Sequence, residues 1–188
     1  MFYIAQDDKL LNYADIKYSE DCKFTDIITQ RELDLYPNKV LVENDELVLN
    51  PDFEAQELEK AKQAKYDEAN LKARYYLESG EALYPFVQND VTYHIEATDG
   101  NIAKIGLKAT SLLIAQDFET TFPWNTKEDV NINLNALEGK EIAEGLGNIQ
   151  DIVWTIKFPL YIEKIGNAET IGEVEAIIID YTKEPEGI

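Results

Sequence analysis

The chain has 188 residues, 37 acids against 17 bases and a net charge of −20. That length suffices for one ordinary domain, or for two unequal ones, with a core that needs no disulfide staples. A surface so acidic repels a phosphate backbone, which excludes ordinary nucleic-acid binding and reads as a solvated, solubilising exterior.

Cys22 is the single cysteine, so no intramolecular disulfide, thiol pair or thiolate metal cluster forms, and synthesis in a reducing compartment is expected. Residues Met1 to Lys9 lack the basic start and apolar middle of a signal peptide. No later stretch approaches the ~18 consecutive apolar residues of a spanning helix, so no membrane insertion is expected.

In chain order, Phe2 to Ala5, a turn at Asp7 and Asp8, and Leu10 to Tyr13 read as a β-hairpin. Thr25 to Tyr36 contains a short helix starting near Thr29, and Lys39 to Asn50 is a second hairpin turning at Asn44 and Asp45. Asn50, Pro51 and Asp52 then open a long helix, since Asn caps free amides, Pro suits the first helical position and an acid suits the positive dipole end. That helix runs from Phe53 to Leu77, with Glu68 four residues before Lys72 for ion-pair support and Gly80 as its stop. Ala61, Ala64, Leu71 and Tyr75 approach heptad spacing, but Glu68 interrupts the seam, which favours a connecting or packed helix over a self-associating coiled coil.

A strand is expected over Val91 to Ala97, and a helix capped by Thr98 or Asp99 runs to about Gln116 on Ile102, Ile105, Ala109 and Leu112. Phe122 to Asn125 reads as a rigid aromatic corner, followed by a strand through Val130, Ile132 and Leu134. Ala136 to Asn167 has the spacing of a long amphipathic helix, weakened by Gly139, Gly145 and Gly147 and kinked or broken at Pro159. Thr170 to Ile179 suits a helix capped at Thr170, whereas Ala176 to Tyr181 suits a strand, and pattern alone leaves both open. The fold class is α+β: a small β-rich unit over 1–50, a helical connector over 51–80, a larger helix-and-strand domain over 81–183, and a frayed tail over 184–188.

No residue is assigned a catalytic, cofactor-binding or metal-binding role. His94 is the single histidine and reads as a solvent-facing or partly packed side chain. Glu20 and Asp21 directly precede Cys22, which disfavours a thiolate. Asp7 with Asp8, and Glu128 with Asp129, lack the spacing of a calcium loop and read as turn solvation. Gly145 and Gly147 lack the remainder of a dinucleotide fingerprint. With so many acids, carboxylate pairs say little about a hydrolase. Tyr75, Tyr76, Tyr84 and Phe86 cluster near the junction of connector and C-terminal domain; they are core rings or, alternatively, anchors for a partner.

The order of parts resembles proteins encoded near the tail-fibre genes of phages and prophages. The resemblance rests on the connector Phe53 to Leu77, the strand Tyr93 to Ala97 leading into Thr98 and Asp99, the Phe122, Pro123, Trp124 corner with the strand after it, and an ending in which Ile165 and Ala168 precede Thr170, Glu173, Val174 and Ile177. It covers about the last hundred residues; the first fifty resemble the opening of tail-fibre assembly proteins in style. Pro159 and the three glycines depart from the family-like helix. The resemblance implies a non-enzymatic accessory or structural tail protein: a tail-tip or fibre component, or a chaperone of fibre assembly. It also implies other tail or fibre proteins as partners, homo-oligomerisation, and a location in the host cytoplasm during synthesis and then in the virion tail. The competing classes are a carboxylate-dependent hydrolase of an envelope polymer and an acidic host interaction protein.

Overall fold

The computed structural model describes residues 1–17 and 19–183, and the expected frayed tail at 184–188 lies outside them. The fold is α+β. The chain divides into two compact units, one from Met1 to Lys60 and one from Ala61 onward.

In the first unit, β1 (Phe2–Gln6) pairs antiparallel with β2 (Lys9–Ala14) and with the short β3 (Lys23–Phe24). Helix α1 (Gln30–Leu35) begins where the sequence predicts, with a capping box in which Thr29 Oγ1 accepts from Glu32 N and the Glu32 carboxylate accepts from Thr29 N. A 3-10 turn, Pro37–Lys39, leads into the hairpin of β4 (Val40–Glu43) and β5 (Glu46–Leu49). Tyr3, Ile28, Leu33, Val40 and Leu47 form this unit's core.

Helix α2 (Phe53–Glu78) contains the boundary between the units. Asn50 Oδ1 accepts from Asp52 N at its start, and Gly80, at a φ of 79°, provides the left-handed residue that ends it. Glu68 accepts from Lys72 at 2.8 Å and from Lys65 at 2.9 Å.

In the second unit, β6 (Leu83–Gln88) and β7 (Val91–Glu96) form a hairpin, α3 (Asp99–Ile114) follows behind the Thr98 cap, and β8 (Phe122–Asn125) pairs with β9 (Asn131–Leu134). The expected unit of strand, helix and strand is therefore two hairpins flanking a helix. The aromatic corner at Phe122 to Asn125 is a strand, corrected by its full register with β9. Helix α3 packs chiefly on α4 (Ala136–Ile152): Ile105 joins Ile142 and Leu146 in one buried core, and Ala109 faces Gly139.

The long C-terminal helix does not break at Pro159. A π turn over Val153–Lys157 joins α4 to α5 (Phe158–Asn167), and Phe158 N donates to Val153 O across the wider ring. Pro159 thus falls in the first turn of α5, where its missing donor costs little. Thr170 opens α6 (Ile171–Ala176) with a capping box to Glu173, and Ile177 to Asp180 forms neither helix nor strand.

Candidate functional site

The four aromatic side chains expected near the junction are not gathered into one patch. Phe86 is 3% exposed and belongs to the core. Tyr76 is half-buried and stacks on Tyr181 with ring centroids 6.3 Å apart. The ring of Tyr84 packs where Gly145 leaves room on α4, and its hydroxyl donates to Glu141 Oε1 at 3.4 Å. Burial first, then the neighbouring Glu141 charge, raises the Tyr84 phenol above its ordinary pKa. Tyr75 alone is open to solvent, at 62% exposure.

Adjacent helical residues point about 100° apart, which separates Tyr75 from the buried row of Ala69, Ala73 and Leu77. Leu71, one turn before Tyr75, is 69% exposed, and Ala64 is exposed as well. Most of the near-heptad row seen in the sequence therefore lies on the outer face of α2. A second outer face, on α3, carries Leu107 and Ile114 one heptad apart, at 71% and 79% exposure. Beside Leu107 lies a shallow groove of about 380 Å³, lined by Ser111, Leu112 and Phe122 among others.

His94 and Glu128, unconnected in the sequence reading, meet between the second unit's two hairpins. His94 Nδ1 lies 2.6 Å from Glu128 Oε1, and His94 N donates to Glu128 Oε2 at 3.1 Å. The imidazole bond, with the backbone donor second among its causes, lowers the Glu128 carboxyl to about 2. Lys127 N donates to His94 O at 2.8 Å, and Lys127 Nζ to Glu96 Oε1 at 2.7 Å. Together these bonds fix the β8–β9 turn against β7.

That turn and α3 bound a polar groove of about 530 Å³. Lys104 and Lys108, one turn apart on α3, line it together with Lys127 from the turn and Trp124 from β8. Sequence pattern places Trp124 in an aromatic corner and among the larger unit's core rings, and gives the lysines no role. They come from α3 and from the β8–β9 turn, segments that lie nearly twenty positions apart in the sequence. Cys22 is half-buried in the first unit. Among the described residues, no group of three or more His, Cys, Asp or Glu side chains is placed to hold a metal ion. No helix among them is long and apolar enough to cross a membrane. Comparison with protein-family models, with curated proteins and with solved structures finds no match.

Proposed function

We propose that the protein works by contact with other polypeptides, without catalysis, as an accessory or structural part of a phage tail: a tail-tip or fibre component, or a chaperone of fibre assembly. The observation that carries the contact reading is the outer row of α2, where Leu71 and Tyr75 stand one turn apart and more than 60% exposed. Large apolar side chains held on a rigid helix face lose little conformational freedom on docking, and aromatic residues are favoured at the centres of protein interfaces. The tail assignment rests on the layout of parts and the motifs quoted above. A net charge of −20 supports protein partners over nucleic acid.

The test is to probe purified phage particles, and infected-cell lysates, with an antibody to this protein. A fixed stoichiometry in particles supports the component form, and a fibre complex confined to lysates supports the chaperone form. Absence from both defeats the tail reading. L71E/Y75E should keep the circular dichroism of the parent and lose the complex; a variant that keeps the complex would remove α2 from the interface.

A further inference from the structure

From Gly100 to Gln116 the chain runs without an acid, its longest such run, in a molecule of net charge −20. Helix α3 carries that run, with Lys104 and Lys108 as its only charges past Asp99. One side of α3 is closed by α4, since a methyl group at Gly106 would touch Ala143 and one at Gly139 would touch Ala109. The opposite side is open: Ala103, Leu107, Thr110, Ser111 and Ile114 are all exposed. Positions 103, 107, 110 and 114 alternate steps of four and three, the spacing of a seam that packs against another helix. Apolar side chains gathered on one exposed face of a rigid helix mark a docking surface.

Charge decides what covers this face. Two copies of so acidic a chain repel over most of their surfaces and meet with least repulsion where acids are absent. On the α4 side, Lys140 and Glu144 pair with each other at 3.5 Å. At the far end, Asp117 is held against the last turn of α3 by its N–H bond to Leu112 O, and Glu119 follows. Lysine toward one end and acids past the other make α3 complementary to an antiparallel copy of itself. A two-fold axis through Thr110 and Ser111 sets Leu107 against Ile114 of the second copy. The same axis brings Lys104 to that copy's acidic end, where the negative pole of the helix dipole adds to the attraction. A parallel pair would instead set lysine on lysine. The groove of about 380 Å³ beside Leu107, lined by Ser111, Leu112 and Phe122 among others, lies where the antiparallel axis delivers Ile114.

We infer that two copies of the chain form an antiparallel dimer through the outer face of α3, with Leu107 and Ile114 at its centre and Lys104 facing Asp117 across each end. The face lies on a different helix from the Leu71 and Tyr75 row, and the inference does not depend on the tail assignment.

Sedimentation equilibrium of the full chain from about 5 to about 300 μM should show a reversible monomer–dimer equilibrium, because a contact made by one helix pair belongs to the small, weak class of interfaces. L107E/I114E should keep the parent's circular dichroism and stay monomeric throughout. K104E, which sets acid against acid, should raise the dissociation constant about fivefold or more. L71E/Y75E should dimerise as the parent does, which separates this contact from the one on α2. Since Cys22 is the single cysteine, C22S clears the background for cross-linking. C22S/S111C, with its thiols beside the axis, should cross-link with a bismaleimide of about 8 Å reach, and C22S/A103C should not, because a rise of about 1.5 Å per residue puts the two copies of position 103 about 22 Å apart. A parent that stays monomeric at about 300 μM, a dimer that survives L107E/I114E, an unchanged dissociation constant in K104E, or cross-linking of both cysteine variants or of neither overturns the inference.

Discussion

A methyl group added at Gly145 would overlap the ring of Tyr84, and one added at Gly139 would sit 2.9 Å from Phe122 Cζ. At Gly147 it would meet nothing within 4 Å. Three glycines that look alike as helix weakeners therefore divide by what faces them. G147A should stabilise by about 0.5–1 kcal/mol, the helix-propensity gain alone. G145A gains the same propensity but must displace Tyr84, and overpacking of that kind costs about 1–3 kcal/mol, so it should destabilise. Urea midpoints of the two variants should move in opposite directions. Glu128 shows the same dependence on a single neighbour. The His94 bonds lower its folded pKa from 4.5 to about 2, so its contribution is fully present above about pH 4.5 and is lost as pH falls toward 2. E128Q should lower the urea midpoint near neutral pH, and the gap from the parent should close on titration toward about pH 2. A gap that stays constant across that range would show that the carboxylate charge is not what the His94 contact stabilises.

At the scale of elements, the hairpins show what the sequence makes legible. Asp7 and Asp8, Asn44 and Asp45, and Asn89 and Asp90 all have positive φ at both turn positions, the two-residue type I′ geometry that Asn and Asp tolerate best among side-chain-bearing residues. The first two were readable because alternating apolar residues flank them. The third carries the same dipeptide signal, yet β6 is hidden because Pro85 sits within it, and β8 is hidden by Pro123 in the same way. In a two-stranded ribbon each strand has a free edge, so a missing N–H can be accommodated on that side, and a proline there is no evidence against a strand. The lysine groove was illegible because its walls, α3 and the β8–β9 turn, are separate segments of the sequence that only the folded chain brings together. The stretch after α6 was ambiguous because its backbone is satisfied by side chains, not by a strand. Lys72 donates to Ile179 O at 3.3 Å, Tyr161 Oη to Asp180 O at 3.0 Å, and the buried Lys157 to Tyr181 O and Lys183 O at 3.1 Å each. Tyr181 Oη in turn donates to Ala69 O, and burial raises its pKa. A lysine in a π turn is invisible to apolar periodicity, although it tethers the end of the fold. K157M removes those donors and should lower stability by about 2 kcal/mol, with faster amide exchange across Ile179 to Thr182.

At the scale of the whole molecule, the two cores share no residue: one is built on Ile28, Leu33 and Leu47, the other on Ile95, Ile105, Leu134, Ile142, Leu146 and Ile165. A unit the size of Met1–Lys60 holds a modest apolar core and correspondingly small stability. Leu33 is 1% exposed, and truncation of such a side chain to Ala costs about 2–5 kcal/mol, a large fraction of what a unit of that size has. Both tryptophans, Trp124 and Trp154, lie beyond Lys60, so indole fluorescence reads the second unit alone while far-ultraviolet circular dichroism reads both. L33A should therefore shift the early part of the circular dichroism melt to lower temperature and leave the fluorescence midpoint in place. If the fluorescence midpoint falls by as much as the circular dichroism transition, the two cores unfold as one cooperative body, because a cavity confined to the first can reach the second only through coupled unfolding.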